Sequence, residues 1–192
     1  MKIGIIADTH GNIAAWDRAW ELVLHDADLI FHCGDLLYHG PKFAPAPEYD
    51  AAALAARLND CPVPLLIARG NADAEVDQLV ITAPIQAPYA FAQIEGVRLL
   101  ASHGHLLTPD ELLARGEQWR LDFVLSGHTH VPAYRRSGRT VHLNPGSPTY
   151  PLSREPNLRR PTCAALLDSV PHWWDLETGA ELDVPLVEVE PE

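Results

Sequence analysis

One repeated pattern limits what this chain can fold into. A short apolar run of the kind that makes a buried strand is followed, within a few residues, by side chains that ligate metals. Lys2 to Ala7 leads into Asp8-Thr9-His10, Leu29-Ile30-Phe31 into Cys33-Gly34-Asp35, and Leu65-Leu66-Ile67-Ala68 into Arg69-Gly70-Asn71. Val97 to Ala101 leads into His103-Gly104-His105, and Phe123-Val124-Leu125 into Ser126-Gly127-His128-Thr129-His130. Runs this short and this apolar suit strands covered on both faces. In α/β sheets, sites form outside the carboxyl ends of the strands, so five such motifs can converge on one crevice.

The stretches between the runs support an α/β chain. Asn12 is placed to cap a helix in which Ile13, Trp16, Trp20 and Val23 or Leu24 recur at helical spacing. Strand, helix and strand in that order predict a right-handed crossover with the first two strands parallel. Leu36 to Glu48 is proline-rich and aperiodic, a long surface loop of the sort that often carries function. Ala51 to Leu58 reads as a helix. Phe91 to Ile94 and Val97 to Ala101 flank the turn dipeptide Glu95-Gly96. Thr108-Pro109-Asp110-Glu111 combines a capping Thr, a first-turn Pro and a reciprocal Glu. Val131 to Arg135 and Thr140 to Leu143 surround Ser137-Gly138, and Asn144-Pro145-Gly146-Ser147 is a turn. Beyond Pro148, strands are expected at Cys163 to Leu167, His172 to Leu176 and Pro185 to Val189, with no ligand-like cluster. The first strands should be parallel and the later ones antiparallel, in a single domain spanning residues 1–192.

Composition narrows the function. With 192 residues and 47% hydrophobic content the chain can bury one sizeable core. No run approaches a membrane span, and an Asp follows the first apolar run too soon for a signal peptide, so a cytoplasmic protein without a membrane partner is expected. A formal net charge of -12 opposes non-specific binding to nucleic acid. It leaves phosphate-bearing substrates open, because bound divalent cations invert the local charge. Cys33, Cys61 and Cys163 are widely spaced and odd in number, so they are expected to be buried thiols of a reducing compartment.

Taken singly, each motif has an ordinary explanation. Asp8-x-His10 resembles a helix-capping turn, Gly34-Asp35 and Gly70-Asn71 are common turn dipeptides, and His103 or the His128-x-His130 pair can be plain hydrogen-bonded histidines. Five in order, each behind a strand, are not explained separately. Oxygen and imidazole donors without thiolate suit Mn, Fe, Zn, Ni or Mg. Seven candidate ligands exceed one ion and fit two, about 3.5–4 Å apart with a shared carboxylate, the arrangement used for in-line displacement at phosphorus.

This ordered set resembles the calcineurin-like metallophosphoesterase superfamily, whose pattern is Asp-x-His, Gly-Asp, Gly-Asn, His and Gly-His-x-His. More narrowly it is similar to the small YfcE-type phosphodiesterases, through His39-Gly40-Pro41, Arg69-Gly70-Asn71 with Asp73 to Gln78, His103-Gly104-His105 and Asn144 to Ser147. The resemblance runs from Met1 to about Ser147. It implies a four-layer sandwich of two mixed β-sheets flanked by helices, with a dinuclear site at one edge. It assigns Asp8, His10 and His130 to the first metal, Asn71, His103 and His128 to the second, and Asp35 to the bridge, with manganese first among the candidate ions. A small phosphoester is the implied substrate. Asn71, Arg69 and His39 are the implied residues at the reaction, Arg69 and His39 by touching substrate, although Arg69 could instead pair with Asp73. Many members place His after Gly-Asn to protonate the leaving group; Ala72 stands there instead. A preference for good leaving groups follows, or a donor from elsewhere such as His39 or His105. Two other functions compete with a phosphodiesterase. One is a phosphomonoesterase or nucleotide phosphatase using the same metals. The other is a catalytically silent scaffold or interaction module, as in the retromer subunit that shares the fold but has lost part of the metal set.

Overall fold

A computed structural model describes residues 1–190, so Pro191 and Glu192 lie outside the described residues. The strand β1 (Lys2–Ile6) is followed by the helix α1 (Ile13–Ala19), β2 (Leu29–His32), α2 (Ala51–Asn59) and β3 (Leu65–Ala68). After a one-turn helix α3 (Asp77–Val80) and a two-residue β4 (Ile85–Gln86), the hairpin β5 (Ala90–Ile94) and β6 (Val97–Ala101) begins a second sheet. That sheet continues with α4 (Pro109–Gln118), β7 (Phe123–Leu125), β8 (Pro132–Ser137) and β9 (Thr140–Pro145). The tail adds β10 (Thr162–Leu167), β11 (Val170–Asp175), β12 (Glu181–Leu182) and β13 (Leu186–Glu188). The two sheets have the orders β12-β11-β10-β1-β2-β3-β4 and β13-β8-β9-β7-β6-β5.

Local chemistry sets the element boundaries. The Asn12 side chain accepts from Ala15 N at 3.0 Å and starts α1. An i→i+5 turn over Trp20–Leu24 then lets both Val23 and Leu24 face the core, where the simple helical stripe admits one or the other. Thr108 and Glu111 exchange the reciprocal bonds of a capping box at α4. Glu95 and Gly96 take φ of 50° and 85°, the left-handed pair that a two-residue hairpin turn needs.

Packing explains why the strand runs are continuous rather than alternating. Ile3, Ile5, Phe31, Leu99, Leu125 and Trp173 fill the space between the sheets. Ile6, Ile30 and Ile67, on the other face of the first sheet, meet Trp16, Leu24, Leu54 and Leu58 from α1 and α2. On the far side of the second sheet, Leu100 and Val124 pack on Leu112. Each such side chain contributes about 1.5–3 kcal/mol by leaving water. Helices, sheet, sheet and helix make the four layers of the expected sandwich.

Two expectations need correction. The later strands are not uniformly antiparallel: β6, β7 and β9 run parallel to one another. The reason is that α4 forms a crossover between β6 and β7, while β8 folds back beyond β9 as its hairpin partner. The tail completes both sheets. β10 pairs antiparallel with β1 at the middle of the first sheet, and β13 crosses to the second sheet to lie parallel to β8. All three cysteines are free, but Cys61 is only half-buried. No helix among the described residues is long and apolar enough to cross a membrane.

Candidate metal centre

The loops leaving β1, β2, β3, β6 and β7 meet at one edge of the sandwich. Asp8 and His10 come from the first, Asp35 from the second, Asn71 from the third, His103 from the fourth, and His128 with His130 from the fifth. Donor atoms of Asp8, His10 and His130 form one compact group, and those of Asp8, Asp35 and His103 form another. His130 Nε2 lies 3.4 Å from Asp8 Oδ1 and His10 Nε2 lies 3.9 Å from it. Asp35 Oδ2 stands 3.3 Å from His103 Nε2 and 3.8 Å from His10 Nε2. Asn71 Oδ1 is 3.1 Å from His103 Nε2. The His128 imidazole is exposed, with its centroid 5.1 Å from that of His103.

The tautomers show that these donors suit a cation. His10 Nδ1 donates to the Tyr38 carbonyl at 2.7 Å, His130 Nδ1 to Tyr150 O at 2.8 Å, and His103 Nδ1 to Cys33 O at 2.8 Å. A backbone carbonyl only accepts, so each Nδ1 carries the proton. Metal-ligating histidines are held in this way. Burial, opposed by the Tyr38 carbonyl, lowers the pKa of His10, and burial likewise brings His130 down to about 4, so both rings are neutral. Their Nε2 lone pairs then face each other at 3.2 Å with no proton between them. Such a contact is repulsive until a cation sits against both. At His103 burial acts downward too, but the hydrogen bond to Asp35 and the charges of Asp8 and Asp35 outweigh it and raise the ring to about 9. Burial pushes Asp35 up, yet the hydrogen bond and charge of His103 and the Ala72 N–H hold it at about 2. Asp8, wholly buried, is pushed well above the ordinary carboxylate range. A bound cation would reverse that last shift.

The backbone is strained where the ligands sit. Asp8, His10, Asp35, His128 and His130 all have φ between 48° and 68°, the left-handed region that non-glycine residues avoid. Hydrogen bonds between loops hold them there: Asp8 N to Gly34 O and His10 N to Asp35 O, both 3.0 Å, and Gly127 N to His103 O, 3.0 Å. Neighbouring glycines make the close approach possible. A Cβ on Gly70 would overlap Asp35 Oδ1, and one on Gly127 would lie 2.8 Å from Asp8 Oδ2.

Asp73 ties two of these loops together. Its Oδ2 accepts from Asp35 N (2.9 Å) and Gly70 N (2.7 Å), and its Oδ1 accepts from Leu36 N (2.7 Å). At 5% exposure and with both oxygens taken up by backbone amides, its carboxylate is not the group that Arg69 contacts. From the end of β9, Ser147 Oγ donates to Asp8 O at 2.9 Å, and Asn144 Nδ2 donates to Gly127 O at 2.7 Å and Thr129 Oγ1 at 3.1 Å.

An open cleft over the centre is lined by His10, Asp35, Asn71, His128 and His130, by His39 to Phe43 of the long loop, and by Ala72 and Leu152. His39 is among these lining residues, with Nδ1 donating to Gly40 O and Phe43 O. Arg69 is not among them, and its Nε donates to the main-chain carbonyl of Asp73 at 3.1 Å. His105 is exposed beside His103 and is also outside the lining.

Lys42, Phe43, Tyr150 and Leu152 have no counterpart in the sequence reading. Phe43 stacks on Tyr150, ring centroids 4.3 Å apart and nearly parallel at 8°, and the Tyr150 hydroxyl donates to Ala44 O. The same Tyr150 supplies the carbonyl that fixes His130. The segment after Pro148, which shows no ligand motif, thus reaches the site through its backbone and an aromatic ring.

Comparison with known proteins agrees with this geometry. The family model for the calcineurin-like phosphoesterase superfamily domain matches residues 1–168. The phosphodiesterase YfcE of Escherichia coli K12 is 38% identical over 157 residues, 81% of this chain and 84% of the relative. The solved structure of E. coli YfcE, described as a phosphoesterase, superposes with a TM-score of 0.81 at 31% identity, covering 95% of this chain and 97% of that one. Vacuolar protein sorting 29 from Cryptosporidium parvum shares the fold, with a TM-score of 0.68 at 18% identity over 94% and 93% of the two chains.

Proposed function

The chain belongs to the calcineurin-like phosphoesterase superfamily, and from that premise we propose that it hydrolyses phosphodiesters using two divalent metal ions at the strand-end centre. The observation that carries this proposal is the set of three Nδ1-anchored imidazoles whose Nε2 atoms converge on two buried carboxylates. Asp8, His10 and His130 would hold one ion, and Asn71, His103 and His128 the other. Asp35 would be shared, since its Oδ2 lies between His10 and His103. Bound there, the ions supply an activated water and neutralise the phosphoryl oxygens. Oxygen and imidazole without thiolate suit Mn, Fe, Zn, Ni or Mg, and manganese is put first on the family resemblance.

The protein's own part is to orient and to discriminate. The Ala72 amide donates to Asp35 Oδ1 at 2.7 Å, leaving Asp35 Oδ2 directed at the imidazoles. His128 and Asn71 face the open cleft, and His39 flanks it. Ala72 itself offers no proton where the ester oxygen would depart, and general-acid help is typically worth about 10²–10⁴ in rate. Esters whose leaving group departs as a stable anion are therefore the substrates served best, and His39 is the residue of the cleft able to supply a proton to others. A small phosphoester, rather than a nucleic acid held through its phosphates, fits a chain of net charge -12. Action as one domain in a reducing cytoplasm completes the proposal.

The test is turnover of bis-p-nitrophenyl phosphate and of p-nitrophenyl phosphate by metal-stripped protein, with and without Mn²⁺, beside an Asp35→Asn control. Metal-dependent cleavage that favours the diester is expected. His128→Ala and His130→Ala should each bind one equivalent of metal less, the two variants retaining sites with different affinity. No turnover with any divalent ion, together with no bound metal by elemental analysis, would overturn the proposal.

A further inference from the structure

One wall of the cleft is apolar, and no step of hydrolysis requires it to be. Pro41 and Phe43 from the long loop and Leu152 from the tail stand beside His130, with Lys42 at the mouth. Leu152 is 49% exposed although its amide is tied to His130 O at 3.2 Å, so its side chain is presented to the cleft rather than used in the core. Phe43 is not mobile filler. Tyr150 stacks on it and bonds the next carbonyl, Ala44 O, and His39 Nδ1 donates to Phe43 O at 3.0 Å. A wall fixed in this way before substrate arrives loses little entropy on binding. Lys42 adds a cation at the mouth of a site in an otherwise acidic chain, where the phosphate charge must enter.

We propose that Phe43 and Leu152 form a subsite for the ester group that stays on the phosphate, and that they select diesters in which this group is a flat aromatic ring. This rests on the phosphodiesterase reading above and names its substrate class. The ring could be an aryl group or a nucleobase, and both share the chemistry of a planar apolar face. A methyl or ethyl group in the same place would leave the wall wet.

Three diesters with the same p-nitrophenolate leaving group isolate the effect: methyl p-nitrophenyl phosphate, phenyl p-nitrophenyl phosphate and thymidine 5′-p-nitrophenyl phosphate. With Mn²⁺ present, the phenyl or thymidyl ester should exceed the methyl ester in kcat/KM by about 10-fold or more, the scale of a hydrophobic pocket's discrimination. Whichever of the two leads identifies the source of the ring. Leu152→Ala removes no core contact and should cut that ratio several-fold, through KM rather than kcat. Phe43→Ala should cut it further. Titration calorimetry of the Mn²⁺-loaded protein with phenylphosphonate and methylphosphonate reads the same preference without turnover. If no ester is cleaved but phenylphosphonate binds tighter and Leu152→Ala abolishes the difference, the subsite stands and the phosphodiesterase reading falls. If esters are cleaved with equal efficiency, or the ratio survives in both variants, the subsite is refuted.

Discussion

Asp73 offers the sharpest test of how the centre is held. Its carboxylate accepts from the amides of Asp35, Leu36 and Gly70, all from buried positions, and so joins the loop that carries Asp35 to the loop that carries Asn71. A buried N–H left without a partner costs about 1–3 kcal/mol. Asp73→Asn can keep its carbonyl oxygen on Asp35 N and Gly70 N, but it turns an amide donor toward Leu36 N, so one bond worth about 2 kcal/mol is lost. Asp73→Ala strands all three donors. Either variant also sheds the burial cost that raises the wild-type carboxyl to about 6, roughly 3 kcal/mol near pH 7. The two effects nearly cancel in Asp73→Asn, whereas a loss of about 3 kcal/mol remains in Asp73→Ala. For a chain of this length the melting temperature should stay within about 4 °C of wild type for Asn and drop by about 6–12 °C for Ala, measured on metal-free protein. The affinity for Mn²⁺ should fall about 10–100-fold in both, as when other outer partners of metal ligands are removed. A proton-donating Asp73 would behave differently: Asp73→Asn would then lose turnover while keeping metal affinity. That result, or an Asp73→Ala protein that melts with wild type and binds Mn²⁺ as tightly, would refute the structural role.

Three further outcomes are expected. Ala72→His should raise turnover of alkyl diesters far more than that of nitrophenyl diesters, flattening the dependence of rate on leaving-group pKa; an unchanged dependence would mean that no acid is missing. Removing metal with a chelator should lower the melting temperature by about 10–20 °C relative to protein at a hundredfold excess of Mn²⁺ over both dissociation constants, because occupancy of each of the two proposed sites is worth about 2.7 kcal/mol. His142 is wholly buried, and burial lowers its pKa to about 4 while its Nδ1 has no partner among the described residues. The folded state therefore binds fewer protons than the unfolded one between about pH 4 and 6.5, and stability falls as pH drops through that window, by about 2 kcal/mol at pH 5 from this group. His142→Gln should show a shallower loss in urea melts between pH 7.5 and 5, and parallel curves would exclude His142 as a source.

What the sequence discloses here is what is encoded locally. The strand runs are short and apolar because both faces of each sheet are covered, and the candidate ligands follow them directly, so the group that meets at one edge can be picked out without a structure. Asn12 and Thr108 announce their helices in the same local way. Relations between distant segments carry no such signal. Nothing near Thr162 says that β10 will pair with β1 some 160 residues away. Nothing near Tyr150 says that its carbonyl will set the tautomer of His130. Asp73 is an instructive intermediate case. An acidic residue just past Gly-Asn is visible, but its three partners are backbone amides, which every residue has, so its role cannot be read from side-chain types. Arg69 is the complementary case: its place beside Gly70-Asn71 allows either substrate contact or pairing with Asp73, and the geometry shows its Nε on the main-chain carbonyl of Asp73, a partner that side-chain types do not announce.

The fold alone does not decide between an enzyme and a binding surface, since a vacuolar sorting protein has it too. The energetics of the strand ends answer a narrower question, whether this edge is built to hold a cation. Five candidate ligand residues in left-handed conformation cost of order 1–3 kcal/mol each, a sum comparable with the whole stability of an ordinary domain. Two neutral Nε2 atoms at 3.2 Å, and two carboxylates beside them with little exposure, add to that cost. A surface that docks a partner without a cation gains nothing from any of these. A cation between the imidazoles and the carboxylates would turn each of them to advantage: the lone pairs would become bonds, Asp8 would ionise, and the strained backbone would be the geometry that aims the donors. Selection for the protein alone would relax these positions, with Gly or Asn at the left-handed sites and an apolar residue at His103. Replacing the candidate ligands with such residues should therefore raise the stability of metal-free protein while abolishing metal binding. In a combined Asp8→Asn, His10→Gly and His130→Asn variant the new amide at position 8 can still accept from the His128 N–H. If that variant melts below the metal-free wild type, the strain is not being held for a cation.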